Sequence, residues 1–205
     1  MRSRLLAVAV LLALASVAGP SSASSVSELV KSARVHEAAS EDSLAIRRYM
    51  EALALDPTFE EAYAGLGAIR QRRGDLREAD RVYSVALARL PRFNEARLER
   101  ARVRWMLGER PGAVDDIETL AREDPLVLRE LAGWYGDAAE WPAQLALWRR
   151  LFAFARATAA ERLGQEARAM VRALQILVEH ADPVSSPHER TGVRRTISEF
   201  ARQGL

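Results

Sequence analysis

The chain contains no cysteine, and Lys31 is the only lysine among its 30 basic residues. Without cysteine it can form no disulfide, has no thiol nucleophile and lacks the lipid-attachment residue of bacterial lipoproteins. It also lacks a glycine-rich phosphate loop, and its three histidines stand far apart in the sequence. No motif therefore indicates a catalytic centre, a metal site or a cofactor site. We predict a non-enzymatic protein that binds no cofactor.

Long apolar runs are also scarce, and the clearest one lies close to the N-terminus. Two arginines precede residues 5–18, which are almost wholly apolar, and small residues around Gly19–Pro20 follow. This order is typical of a secretory signal peptide, whereas a membrane span needs about 20 apolar residues. We predict a signal peptide over residues 1–23, cleaved after Ala23 or, alternatively, after Ala18.

Removal of this segment would change the charge of the chain. Two of the 30 basic residues lie in it, so the mature chain over residues 24–205 would carry 28 basic and 28 acidic residues. Because non-specific binding to nucleic acid needs an excess of basic residues, we predict no nucleic-acid partner. The mature chain has no further apolar run long enough to cross a membrane. The signal peptide predicts export to the periplasm or, alternatively, secretion.

The sequence does contain an internal repeat, with a period of about 34 residues. Its clearest copy covers residues 60–93 and is marked by Tyr63, Leu66, Gly67, Gly74, Asp75, Ala79, Tyr83, Ala86 and Pro91. Five columns recur at this interval in three copies: Ala33, Gly67 and Ala101; Ala45, Ala79 and Ala113; Tyr49, Tyr83 and Ile117; Ala52, Ala86 and Leu120; Pro57, Pro91 and Pro125. Five columns in register predict one structural unit repeated along the chain.

The pattern resembles that of the tetratricopeptide repeat, a helix–turn–helix unit of the same length. The resemblance, to repeat proteins of the exported bacterial type, implies an all-α fold in which helix pairs stack into a right-handed superhelix. Three repeats, a shorter degenerate fourth copy and two capping helices are then expected over residues 26–59, 60–93, 94–127, 126–156, 158–181 and 187–203.

Local signals predict the turns and the starts of helices. Gly74 and Gly108 are natural helix terminators and predict the turns inside the second and third copies. The first copy lacks this glycine and is predicted to turn at residues 40–43. Two capping boxes are predicted to start helices, one at Thr58 with Glu61 and one at Thr158 with Glu161.

The resemblance implies that the first helix of each repeat lines a concave groove that holds a protein or a peptide. The residues predicted to face this groove are Arg34, Glu61, Arg72, Glu95, Glu99, Arg102, Trp105 and Trp134. Chaperone-binding members of the family grip a C-terminal carboxylate with lysine, asparagine and arginine side chains. Glu95 and Glu99 stand at two positions where that clamp needs cations, so we predict that this chain is not a carboxylate clamp.

We therefore predict a scaffold or adaptor that binds a protein or peptide of the cell envelope. One alternative is a structural protein that self-associates through exposed edges of its helix stack, marked by Trp141, Trp148 and Phe154. Another is a binder of small molecules or glycans that uses Trp105 and Trp134, unless these two tryptophans are core side chains at the junction of the third and fourth copies. No motif in the sequence identifies the partner.

Overall fold

The structure, a computed structural model, describes residues 22–180. This part of the chain consists of helices and turns and contains no strand, which confirms the predicted all-α fold. The predicted helix over residues 187–203 and almost all of the predicted signal peptide lie outside the described residues. The elements are α1 (Ser22–Ala38), α2 (Asp42–Leu55), α3 (Glu60–Arg72), α4 (Leu76–Arg89), α5 (Asn94–Met106), α6 (Arg110–Ala121), a 3-10 helix (Pro125–Val127), α7 (Leu128–Asp137), α8 (Trp141–Ala157) and α9 (Glu161–His180).

The chain divides into two compact units, Met1–Gly108 and Glu109–Leu205. Helices α1 to α5 belong to the first unit, and helices α6 to α9 belong to the second. The division falls at a turn within the predicted third repeat, residues 94–127. The repeat boundaries taken from the sequence stay predictions.

The repeat columns form the core. In the first unit each helix packs against the next one along the chain, and α3 also contacts both α1 and α5. Ala33, Ala45 and Ala79 are fully buried, and so are the large rings of Tyr49 and Tyr83. All members of the four columns that do not contain proline are buried, in both units. Small side chains let neighbouring helices come close, while the larger ones fill the space between them.

Two tyrosine rings lie directly against glycines of α3. A Cβ added to Gly65 would lie 2.2 Å from Cζ of Tyr49, and one added to Gly67 would lie 2.3 Å from Cζ of Tyr83. Tyr49 belongs to α2 and Tyr83 to α4, so rings from both neighbouring helices pack on α3. Glycine is therefore required at these two positions by packing, within an ordinary helical backbone.

The turns inside the helix pairs share one geometry. Ser40, Gly74 and Gly108 occupy the same position in successive copies of the repeat and have positive φ angles of 60°, 77° and 79°. In the first two turns, the N–H of this residue and the following N–H donate to carbonyls near the helix end, as in a Schellman motif. The turns predicted in the first three copies are confirmed. Ala139 and Ala159 have the same left-handed conformation in the second unit.

The two predicted capping boxes are wrong. Thr58 donates through its N–H (2.8 Å) and its hydroxyl (2.7 Å) to Oδ1 of Asp56, and α3 begins at Glu60. The hydroxyl of Thr158 donates to the carbonyl oxygen of Phe154, 2.9 Å away, at the end of α8. In both places the threonine hydroxyl donates its hydrogen bond to an acceptor on the preceding segment. At Thr58 that acceptor is a carboxylate, which forms stronger hydrogen bonds than neutral groups do.

The second unit buries two tryptophans that the sequence analysis assigned to an exposed edge. Trp141 and Trp148 on α8 are only 8% and 6% exposed, and Phe154 is partly buried. Helix α8 packs against both α7 and α9. Because neighbours cover it on two sides, its aromatic side chains form core, and the prediction of an exposed aromatic edge is wrong.

Candidate functional site

Three helices of the first unit, α1, α3 and α5, line a groove, which we call the α1–α3–α5 groove. It contains two adjoining concavities of about 480 Å³ and 180 Å³ that share Ala64, Ala68 and Glu95. The larger concavity is lined by Arg34, Glu37, Tyr49, Glu60, Glu61, Ala64, Gly65, Ala68, Phe93 and Glu95. The smaller one adds Gln71, Tyr83, Ala96 and Glu99. Since Ala64 and Ala68 lie one helical turn apart on one face of α3, the middle of this face carries small side chains.

Salt bridges connect the helices that line the groove. Nη2 of Arg34 on α1 lies 3.1 Å from Oε2 of Glu61 on α3. Arg72, at the end of α3, lies 3.0 Å from Glu37 and 2.7 Å from Asp42. The hydrogen bond to Asp42, followed by that to Glu37, raises the pKa of Arg72. Because both arginines are at least half exposed, each pair adds about 1 kcal/mol of stability or less, and its main effect is to fix the positions of the side chains.

Two tyrosine hydroxyls reach the groove from second helices, at positions that are equivalent in the repeat. Tyr49 donates to Oε2 of Glu37 (3.1 Å), and Tyr83 donates to Oε1 of Gln71 (2.8 Å). Burial raises the pKa of Tyr49 to about 12, and the negative charge of Glu37 contributes further. Burial likewise raises the pKa of Tyr83, with a further contribution from two carboxylates on α5.

Carboxylates outnumber arginines in the groove. The side chains that line it or pair with lining residues include five carboxylates and three arginines: Glu37, Glu60, Glu61, Glu95 and Glu99, and Arg34, Arg72 and Arg102. Each of the three arginines has a carboxylate partner, that of Arg102 being Glu99. Glu60 and Glu95 make no hydrogen bond or ion pair through their side chains within residues 22–180. These side chains therefore carry an excess of two negative charges.

Six of the eight residues predicted to face a groove are found at this one. Four of them line it and two pair with lining carboxylates, namely Arg34, Glu61, Glu95 and Glu99, and Arg72 and Arg102. Trp105 is half-buried on α5 and lines neither concavity. Trp134 is half-buried on α7, in the second unit. A role in binding stays a prediction for all eight.

Tyr49 and Glu60 were not predicted as groove residues, and Asp42 was not predicted as a partner of Arg72. Asp42 and Tyr49 lie on α2, which is the second helix of its repeat. The repeat column assigns the ring of Tyr49 to the core and does not show that its hydroxyl reaches the groove. The sequence does contain a pattern that indicates the hydrogen bonds of the two tyrosine hydroxyls. Glu37 and Gln71, which both accept hydrogen bonds, stand twelve residues before the two column tyrosines.

The second unit has a cleft of its own, about 320 Å³ in volume, between α8 and α9. Cζ of Arg168 lies 5.6 Å from the centre of the Phe152 ring in its wall, which is a cation–π distance. Elsewhere in this unit, Oε1 of Gln144 and Nε1 of Trp148 are buried and have no hydrogen-bond partner within the described part of the chain. None of the predicted groove residues lines the cleft.

Neither a metal-binding cluster nor a membrane-spanning helix is found between residues 22 and 180. No group of three or more histidine, aspartate or glutamate side chains there is arranged to hold a metal ion. No helix in the same region is both long and apolar enough to cross a membrane.

The sequence matches no known protein-family profile and no curated protein, but the fold is similar to solved structures. A tetratricopeptide repeat protein from Parabacteroides merdae is 17% identical, with 88% of this chain and 77% of that chain covered and a TM-score of 0.58. MamA is 14% identical over 88% of this chain and 90% of its own, also with a TM-score of 0.58. YrrB, described as a repeat protein with an unusual peptide-binding site, is 16% identical over 90% and 97%, with a TM-score of 0.52.

Together with the packing of successive helices, these similarities define the class of the protein, which is a helical repeat protein. More specifically, the chain has the tetratricopeptide-repeat fold that its sequence resembles. At identities of 14–17%, the similarity shows the fold alone.

Proposed function

We propose that this protein is a non-enzymatic scaffold or adaptor that binds a protein or a peptide in the α1–α3–α5 groove. Structural neighbours with this fold suggest a scaffold for protein–protein interactions, and YrrB is described as having a peptide-binding site. The observation that carries the proposal is the larger concavity. Its volume of about 480 Å³ lies within the range of known ligand sites.

The chemistry of the groove suits an extended peptide. Ala64 and Ala68 leave one face of α3 accessible, so that a chain can approach closely. The carboxylates of Glu60 and Glu95 can accept hydrogen bonds from backbone N–H groups of a ligand. The salt bridge between Arg34 and Glu61 already joins α1 to α3. Walls that are ordered before binding reduce the entropy lost when a ligand binds.

The test is site-specific photo-crosslinking in cells with a matched control. A photoreactive amino acid replaces Ala68, which is exposed in the groove, or Ala88, which is exposed on α4 and lines neither concavity. Both changes replace an exposed helical alanine in the first unit, so their effects on folding should match. We expect a distinct adduct from Ala68 alone. Equal adducts from both positions, or none from Ala68, would contradict the proposal.

We also propose that the protein is exported and acts in the bacterial cell envelope, in the periplasm rather than the medium. The support comes from the sequence, in which two arginines, an apolar stretch and small residues follow one another within residues 1–23. A fusion to a reporter enzyme that is active only outside the cytoplasm should be active and shortened by cleavage. An uncleaved, inactive fusion would rule out export, and recovery from the medium would indicate secretion.

The other two functions stay weaker proposals. Self-association loses its main support because Trp141 and Trp148 are buried, and a concentration-independent monomer in sedimentation would eliminate it. Binding of a small molecule or glycan would use Trp105 or Trp134, which are half-buried side chains of different units. Tryptophan fluorescence that does not change on addition of cell-wall fragments would argue against this function.

A further inference from the structure

We infer that the α1–α3–α5 groove selects a basic peptide segment, and that Glu60 and Glu95 receive its arginine or lysine side chains. The inference rests on the proposed function, because it specifies the ligand of the same groove. It follows from three properties of the groove: which of its charges are already paired, what surrounds the unpaired ones, and the sign of the potential inside it.

The arginines of the groove are already occupied. Arg34 is paired with Glu61, Arg72 lies between two carboxylates, and Arg102 is paired with Glu99. An acidic ligand would have to separate one of these pairs and would meet the remaining carboxylates at close range. A basic ligand meets Glu60 and Glu95, which have no partner within residues 22–180, so it gains charge-assisted hydrogen bonds without breaking a contact between described residues.

The surroundings of the unpaired carboxylates suit a long cationic side chain. Glu60 at the start of α3 and Glu95 at the start of α5 line the same concavity, together with Ala64 and Ala68. Arginine and lysine have an apolar stem that packs on small apolar side chains while the charged end stays polar and hydrated. The two alanines provide the apolar surface, and the two glutamates provide acceptors for the charged end.

The buried tyrosines respond to the negative charge of the groove. After burial, the next causes of the raised pKa of Tyr83 are the charges of Glu99 and Glu95. For Tyr49 the next cause is the charge of Glu37. Arg102 acts on Tyr83, and Arg34 on Tyr49, in the opposite direction, but both contributions rank after those of the carboxylates. A concave surface of one sign raises the local concentration of oppositely charged ligands and speeds their association.

The test compares three pools of short peptides that differ only in the side chain at alternate positions, which is arginine, glutamine or glutamate. Fluorescence anisotropy measures binding of each pool to the full chain. We expect the arginine pool to bind at least about tenfold more tightly than the glutamine pool, and the glutamate pool to bind most weakly. At about 1 M salt, where charges are screened within about 3 Å, the preference should disappear.

Two double variants then test whether the carboxylates of Glu60 and Glu95 cause the preference for the arginine pool. The double variant Glu60→Gln/Glu95→Gln should weaken binding of the arginine pool by about tenfold and leave the glutamine pool unchanged. The control Glu51→Gln/Glu78→Gln changes the net charge equally on α2 and α4, where neither residue lines the groove. It should change binding by less than about twofold.

The outcomes separate this inference from the proposed function. If the glutamine or glutamate pool bound as tightly as the arginine pool, the inferred preference for basic peptides would be wrong. The proposed binding of peptides in the groove would not be affected. If no pool binds but the Ala68 position yields an adduct in cells, the basic preference is likewise wrong and the proposed function is again unaffected. If no pool binds and the Ala68 position yields no adduct, both proposals are wrong. An equal loss of arginine binding in both double variants would overturn the assignment to Glu60 and Glu95.

Discussion

Gly67 on α3 is a position at which one added methyl group should destabilise the protein. In an unobstructed helix, replacing glycine by alanine stabilises by about 1 kcal/mol, because alanine is the better helix former. At Gly67 the new Cβ would lie 2.3 Å from Cζ and 2.5 Å from Cε1 of Tyr83. The Tyr83 ring is 1% exposed, and its hydroxyl is bound to Gln71. Moving the ring would therefore disturb a buried side chain and its hydrogen bond to Gln71.

The clash should outweigh the gain in helix propensity. Overpacking a close-packed core costs about 1–3 kcal/mol, and displacing the ring would also weaken the hydrogen bond from Tyr83 to Gln71, worth about 1 kcal/mol. After the gain of about 1 kcal/mol is subtracted, we expect Gly67→Ala to lower the free energy of unfolding by about 1–3 kcal/mol. Urea denaturation followed by circular dichroism should show a lower midpoint and an unchanged m value.

Gly133 on α7 provides the matched control, because a Cβ added there meets no atom within 4 Å. Gly133→Ala should raise the free energy of unfolding by up to about 1 kcal/mol. In the background Tyr83→Leu, which removes the ring, Gly67→Ala should become nearly neutral or stabilising. The reasoning would be refuted if Gly67→Ala stabilised the parent chain as much as Gly133→Ala does, or if its effect were the same with and without the Tyr83 ring.

Three further predictions concern a turn, an ion pair and a buried phenol. Ser40→Gly should stabilise by about 1 kcal/mol in urea denaturation, since Ser40 has a φ of 60° that glycine adopts without cost; no change would contradict this. Arg72→Gln should destabilise by about 1 kcal/mol or less at low salt and by nearly nothing at about 1 M salt; a salt-independent loss would show that packing, not charge, is responsible. Because the pKa of Tyr49 is raised from 10.0 to about 12, its contribution to stability is complete below pH 10 and is lost as the pH rises to 12. The Tyr49→Phe variant should therefore lose less stability than the parent chain between pH 10 and pH 12, and equal losses would contradict the raised pKa of Tyr49.

Most of the core of the first unit follows from the repeat spacing. A column that recurs once in every copy of the repeat must occupy an equivalent position each time, so its residue type indicates its environment. Alanine and glycine mark close contacts between helices, and tyrosine marks a larger space to be filled. The positions of Ala33, Ala45, Tyr49 and Tyr83 could be predicted in this way. Ser40 could be predicted too, since it lies one repeat period before Gly74.

Contacts that differ between copies could not be predicted from the same columns. The ring of Tyr49 packs on Gly65, whereas the ring of Tyr83 packs on Gly67, although the two tyrosines are equivalent in the repeat. The repeat columns place both tyrosines in the core but do not show which residue each ring contacts. The failed capping box at Thr58 has a similar origin, because a local motif competes with the acceptor that the fold brings near, here Asp56.

The charge of the groove shows why composition alone is a weak guide to partners. The predicted mature chain has equal numbers of acidic and basic residues, which argues against non-specific binding to a polyanion. Yet α1, α3 and α5 bring together five carboxylates and three arginines on one surface. The field that a ligand meets depends on this local arrangement and not on the total. A chain that is neutral overall should therefore bind basic segments in a strongly salt-dependent way, while its electrophoretic mobility near neutral pH stays close to zero.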